Sequence, residues 1–254
     1  MMCNMLFSIW FHVIYRVIYG DMWNDFSTIV SWWWIWFFMG LAFLPMSQWL
    51  MGKLWDSGYS LSKILGWVVS GYVVWLGAHS GWITFGLTWW WIVFIGFCCL
   101  NIWLGWIRRD SLIKDFFQKW GLWVRLELIY GLMLVLWSLI RAHQPDINGL
   151  EKFMDFGFMQ SVLQSSNMPP MDMWFAGKPI NYYYFGHYLS AVMTLWSGIK
   201  PSVAYNLMKA TLFALSFSGA LAVGTSLFWL AKNDLKPSMV SQKSFKKHTN
   251  KFEE

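Results

Sequence analysis

A chain of 254 residues that is 57% hydrophobic, 21% aromatic and only 13% charged cannot coat a globular surface with ions; a soluble domain carries about a quarter charged residues. Its net charge of +6 gathers in short loops and in the C-terminal stretch. No basic face is interleaved with base-stacking rings, so a nucleic-acid partner is excluded. The composition predicts an all-α protein, a polytopic transmembrane bundle of about six spans in a cell membrane, with the lipid bilayer as its first partner.

Met1–Gly20 is apolar but broken by Asn4, His12 and Arg16. His12 and Arg16 share a helix face, and the segment reads as an interfacial helix or an extra span. It lacks the basic start and small-residue cleavage site of a secretory leader. With the next few residues it forms an N-terminal region, 1–26. The bundle itself, 27–232, opens with a span over about Ser27–Leu44, ended by Pro45. The second is about Leu61–Gly77. The short turn His79-Ser80-Gly81 makes the third, about Ile83–Ile107, its antiparallel neighbour. A loop from Arg108 to Lys119 leads to the fourth, about Leu122–Ile140. Polar residues 141–180 separate it from a fifth, about Tyr182–Ser197, and a sixth, about Met208–Leu230. The lysine-rich tail, 233–254, reads as disordered. Cys3, Cys98 and Cys99 have no metal-ligand spacing, and the last two are small apolar fillers of a span.

Lysine and arginine orient such a bundle. One side collects Lys53, Lys63, Arg108, Arg109, Lys114, Lys119, Arg125, Lys200 and Lys209; the other holds Arg16, Arg141, Lys152 and Lys178. The long loop 141–180 is therefore extracytoplasmic. Six spans would also return the lysine-rich tail to the outer side, against the rule. That conflict points to a miscounted span or to a chain that continues beyond its last residue.

The loop holds the chemistry-bearing groups. Asn148 caps a helix whose early turn carries Glu151, as in a capping box. Asp155 is four residues on and shares its face. Two roles stand open for each acid: a cap or a catalytic group for Glu151, a solvated position or a catalytic group for Asp155. Pro169-Pro170 ends the helix. Asp172, Trp174, Gly177 and Lys178 follow, Trp174 being either a belt ring or a binding platform. Then comes Asn181-Tyr182-Tyr183-Tyr184-Phe185-Gly186-His187-Tyr188, where a polar loop turns into an apolar segment. One or two aromatics suffice at the mouth of a plain span; here several polar ring tips point together. His187 reads as a packing residue or a proton carrier. Glu127, with Arg125 and Asn101, supplies polarity inside the spans, a functional candidate by default.

The strings Glu151-Lys152-Phe153-Met154-Asp155, Pro169 to Gly177 and Ile180 to Tyr188 resemble the YYY-type polytopic membrane proteins of bacteria and archaea, named for a tyrosine triplet. The resemblance runs from the first span to about Leu230. Phe153, Met173 and Gln144 depart from the family's usual Pro, Pro and Asn; no acid or tyrosine is lost. Family members are usually longer, with more spans, and look like glycosyltransferases of the GT-C class that use lipid-linked sugars. The resemblance implies an inverting transfer from a polyprenyl-phosphate-linked sugar on the outer face. Asp155, with Glu151, would act as base or hold a divalent metal. Arg141, Lys178 or His187 would meet phosphate charge. Asp172, Trp174, Asn181, Tyr182, Tyr183 and Tyr184 would line the sugar site. A transporter or flippase for a lipid-linked or anionic substrate, or a non-catalytic scaffold subunit, are the rival readings.

Overall fold

The computed structural model describes the backbone of residues 21–149 and 151–249, and side chains over 24–149 and 151–232. The segment 1–20, expected to be interfacial, lies outside the described residues. Among the described residues seven helices follow one another: α1 Asp21–Met51, α2 Tyr59–His79, α3 Leu87–Ile107, α4 Arg109–Ala142, α5 Glu151–Gln164, α6 Phe185–Ser197 and α7 Pro201–Thr249. Five of them, α1, α2, α3, α4 and the Pro201–Lys232 part of α7, are long and apolar enough to cross a membrane. The polytopic all-α bundle expected from composition is the fold. Many exposed side chains are large and apolar, such as Ile102, Trp106, Leu128 and Phe228, because lipid rather than water is their solvent.

Several boundaries differ from the sequence reading, each for a physical reason. Pro45 does not end the first span; α1 runs through it to Met51. Proline disrupts the helical hydrogen-bond ladder around it. Here the Asn101 side-chain carbonyl on α3 accepts the Met46 N–H at 2.9 Å, which satisfies a backbone group that lipid cannot. The segment Arg108–Lys119, expected as a loop, belongs almost wholly to α4. The basic stretch 233–249, read as disordered, continues the backbone helix of α7.

The largest difference is the segment expected as the fifth span. Helix α6 has 13 residues, a rise of about 20 Å against the ~30 Å hydrocarbon core. Both of its ends stay near one side of the bundle. At its start Tyr184 accepts a hydrogen bond from Trp75 near the end of α2, at 3.0 Å. At its finish Trp196 packs on Trp90 and Phe94 in the first turns of α3, with ring centroids 4.5 and 5.2 Å away. Between them the Tyr188 hydroxyl donates to the Gly71 carbonyl at 2.9 Å, and the Trp67 indole donates to the Leu189 carbonyl at 3.1 Å. Gly71 is required here: a Cβ on it would stand 2.4 Å from a Leu189 methyl.

Because α6 folds back, α7 starts on the side where α4 ends. Arg141, at the end of α4, donates twice to the Asn206 side-chain Oδ1, at 3.0 and 2.6 Å. Farther along α7, Ser226 accepts the Trp55 N–H at 3.1 Å, on the opposite side of the bundle. Mid-bundle, the Trp32 indole donates to Thr211 at 2.8 Å, tying α1 to α7. The course of α7 therefore puts Lys200 and Lys209 on the side of the loop 141–180, against the sequence reading, and directs the basic stretch toward the opposite side. That stretch then falls with Lys53, Lys114 and Lys119, on the side that the lysine rule expects to be cytoplasmic. Lys63 is also no loop cation: it is buried in the bundle, paired with Glu127.

Single-cysteine labelling in a background lacking the native cysteines checks this layout. A membrane-impermeant maleimide should label Lys152→Cys on intact cells. Lys114→Cys and Lys236→Cys should react only after permeabilisation. Labelling of Lys236→Cys from outside would reverse the assigned direction of α7.

Candidate functional site

Asp155 lies in the second turn of α5, on the face turned toward α6 and α7. Three side chains converge on its carboxylate. Lys209 Nζ is 3.5 Å from Oδ2, His187 Nε2 is 3.7 Å from Oδ1, and the Tyr205 hydroxyl donates to Oδ2 at 3.4 Å. Tyr205 and Lys209 are four apart on α7, hence on one face, and the ammonium stands 4.8 Å over the tyrosine ring. The Asp155 side chain stays 23% exposed, so it is held but reachable. In front of it opens a basin lined by Asn148, Gly149, Glu151, Lys152, Met154, Asp155 and Lys209.

Burial lowers the His187 pKa from its ordinary value of 6.5; the Asp155 carboxylate pulls it up and the Lys209 ammonium pushes it down. The imidazole is therefore neutral at neutral pH, and Lys209 is the cation that pairs with Asp155. His187 has a ring nitrogen near the carboxylate and no charge of its own, which suits proton handling better than anion binding.

Phe158, one turn on from Asp155 and buried, gathers an aromatic cluster. His187 is 5.5 Å away between ring centroids, Tyr182 6.0 Å and Trp174 6.0 Å; Tyr183 packs on Tyr182 at 4.0 Å. Tyr182, Tyr183 and Trp174 remain exposed, forming a ring-lined rim beside the acid. The Tyr183 phenol is pushed above its usual pKa, first by its hydrogen bond and charge coupling to Tyr182, with Glu151 and Asp155 adding in the same direction. The carboxylates of α5 and the tyrosine rim thus share one electrostatic environment.

The other expected residues are placed differently. Tyr184 is buried against α2 through Trp75; the triplet splits, two rings to the rim and one to the scaffold. Asp172 caps its own turn, accepting the N–H groups of Trp174 and Phe175 at 2.8 and 3.0 Å. Gly177, at φ +80°, lets that turn close so that Met171 pairs with Pro179. Asn181 and Lys178 lie on this exposed loop, and neither is brought onto Asp155. Arg141 is across α7 from the basin, in a separate cavity with Asp25, Ser138, Asp146 and Asn206. Among the described residues no group of three or more His, Cys, Asp or Glu side chains converges for a metal ion.

Sequence reasoning missed Lys209 and Tyr205. Their signal was the tyrosine–lysine pair four residues apart in α7, at the membrane border. The expected span count put Lys209 on the opposite side of the bundle from the loop acids. Sequence reasoning also left Glu127 without a partner. In the structure Glu127 Oε2 accepts from Lys63 and, at 2.7 Å, from Tyr59, deep on the inner side and well away from the basin.

Together these features define a multi-pass α-helical integral membrane protein with a polar, acid-bearing basin at one rim of its bundle. Residues 69–240 match the model of a family described as an uncharacterized membrane protein (DUF2298), and the chain belongs to that family. The match takes in α3 to α6 and α7 as far as residue 240, and with them the whole basin. No curated protein matches the chain, and no solved structure does.

The His187 environment fixes a pH dependence. Its folded pKa is below its unfolded one, so the unfolded chain takes up the proton first as pH falls. The stability gained by keeping the ring neutral is whole above pH 6.5 and declines below it. The unfolding temperature in lipid nanodiscs should therefore drop on acidification below that pH, and His187→Gln should flatten that part of the profile. An unchanged profile in the variant would clear His187 of the effect.

Proposed function

We propose that this protein is an inverting, GT-C-like glycosyltransferase that takes a sugar from a polyprenyl-phosphate donor at the outer face. The observation that carries the reading is Asp155 itself: a partly exposed carboxylate at the lip of an outer basin, flanked by a neutral imidazole, a lysine and exposed aromatic rings. The Asp155 carboxylate accepts the proton of an acceptor hydroxyl. The acceptor oxygen bonds to the anomeric carbon on the face opposite the phosphate. The old carbon–oxygen bond breaks, and its electron pair leaves with the polyprenyl phosphate, whose charge meets the Lys209 ammonium. Tyr182, Tyr183 and Trp174 supply ring faces for the sugar, and grooves between lipid-facing helices receive the polyprenyl chain. Were a divalent metal used, Glu151 and Asp155 are the two carboxylates on the basin that would hold it, adding charge stabilisation at the phosphate.

The transporter reading depends on polar groups within the spans. Of its three residues, Asn101 is engaged at the Pro45 break and Arg125 donates to the Gly121 carbonyl at 3.0 Å. Glu127 alone is left to it, and that acid is held by Lys63. A scaffold without activity has no use for a lysine and a histidine both drawn to one reachable acid.

Membranes carrying the wild-type protein, given a tritiated polyprenyl-phosphate hexose, should move label into a chloroform-insoluble acceptor. Asp155→Asn should lower that transfer by roughly 100-fold or more while the protein still inserts and unfolds at the wild-type temperature. Unchanged transfer in Asp155→Asn would remove the residue from the reaction. Uptake of the intact donor without cleavage would favour transport.

A further inference from the structure

A cavity of about 280 Å³ lies at the rim where α4 ends, between the first turns of α1 and α7. The proposed transfer makes no use of it. Ligand sites run from roughly 300 to 1,000 Å³, so this one has room for a headgroup and not for a whole lipid. Both signs of charge line it: Arg141 from α4, Asp25 from α1 and Asp146 from the loop after α4. The protein neutralises none of them. Arg141 is half-buried and spends two N–H groups on the uncharged side-chain oxygen of Asn206. Its other three N–H donors have no acceptor among the described residues, and no carboxylate there comes within ion-pair reach of it. Asp25 and Asp146 likewise lack a cation; Lys152 reaches only the backbone carbonyl of Asp146, at 3.3 Å. The arrangement is built in. Asn206 Nδ2 donates to the Pro145 carbonyl at 3.0 Å, so the amide that accepts from Arg141 also anchors the loop that carries Asp146.

Position and charge state what kind of ligand fits. A half-buried guanidinium without a counter-ion attracts an anion, and its fork suits a phosphate. A plain anion would meet two carboxylates, and a plain cation would leave Arg141 unpaired. A zwitterion satisfies both. The carboxylates accept hydrogen bonds from a primary ammonium. A quaternary ammonium has no N–H to give and is recognised by aromatic rings. Among the described residues no aromatic ring lines this cavity, in a chain that is 21% aromatic. Ile29, Val203 and Leu207 complete the wall. Beside Arg141 on α4, Leu139 and Ile140 are exposed on the lipid-facing surface of the span, a path along which acyl chains can leave.

We infer that this cavity binds a phospholipid whose headgroup is a phosphate ester bearing a primary ammonium, the phosphoethanolamine type. Arg141 meets the phosphate, and Asp25 and Asp146 meet the ammonium. The cavity is separate from the Asp155 basin, and the inference stands without the sugar-transfer reading.

The test is native mass spectrometry of the full chain, delipidated in mild detergent and given equal amounts of dioleoyl phosphatidylethanolamine, phosphatidylcholine and phosphatidylglycerol. One phosphatidylethanolamine should be retained about tenfold or more over either of the others, the size of one charge-assisted hydrogen bond. Asp25→Asn combined with Asp146→Asn should bring it level with phosphatidylcholine. Arg141→Gln should lower its retention about tenfold. Glycerophosphoethanolamine, the same headgroup without chains, should bind far more weakly. Equal retention of the three lipids, a preference for phosphatidylglycerol, or an undiminished preference in the double aspartate variant would overturn the assignment. Equal binding of the chainless headgroup would make the ligand a soluble zwitterion and overturn the lipid site. If Arg141→Gln fails to fold, because it also loses its bonds to Asn206, the aspartate variant and the lipid comparison decide alone.

Discussion

A thirteen-residue helix cannot cross a bilayer, and this molecule is organised around that shortfall. Helix α6 enters from the side of the loop 141–180 and leaves on the same side. Its polar backbone ends and ring hydroxyls must then be met by protein, since lipid offers no partner. Trp75, Trp67 and the Gly71 carbonyl on α2 provide those partners. The consequence reaches the whole chain. With α6 folded back, α7 begins on the outer rim, and its first turns bring Tyr205 and Lys209 to Asp155. The same reversal carries the basic C-terminal stretch to the inner side. A crossing α6 would have left Asp155 without its cation and stranded those lysines outside.

Energetics favour this arrangement of charges. On the outer rim, Asp155 and Lys209 are partly exposed, 23% and 34% by side chain, so their attraction is screened and contributes little to stability. Such a pair can be opened by an incoming anion at small cost, as the proposed transfer would require of Lys209. On the inner side, Lys63 and Glu127 are buried and further held by Tyr59 and by the ring faces of Tyr59 and Tyr130. Removing either partner there would leave an uncompensated charge in an apolar surround, a penalty of about 3–5 kcal/mol. One pair is exchangeable and the other fixed, and the difference comes from burial alone.

The fold class was legible because composition and hydropathy report solvent directly: too few ions for water, enough apolar length for lipid. The acid-bearing helix was legible too. Glu151 and Asp155 at helical spacing, with Pro169-Pro170 beyond, gave α5, and the structure begins it at Glu151. What hydropathy could not report was depth. Tyr182–Ser197 is as apolar as a span, but a helix buried by protein in one half of the bundle needs the same apolar face as one that crosses. The segment expected as the fifth span was therefore misplaced, and with it the side on which Lys209 lies. The tyrosine triplet shows the same limit: three identical rings in a row divide between rim and scaffold according to where the helix turns them, which spacing alone predicts only once the helix start is fixed. Asn101 and Pro45, distant in sequence, became meaningful only as a pair, a missing backbone bond and the side chain that answers it.

The basin of Asp155 and the buried Lys63–Glu127 pair lie apart in the bundle, and among the described residues no ion pair joins them. The bundle interior is packed, with Trp32, Trp36, Met39 and Val74 fully buried. A path for a hydrated or charged substrate through that interior would have to part the packing, where each displaced contact is lost to a cavity. Chemistry confined to the basin of Asp155 needs no such opening. The packing thus favours a protein whose chemistry stays at one rim of the bundle over one that conducts a substrate through its middle.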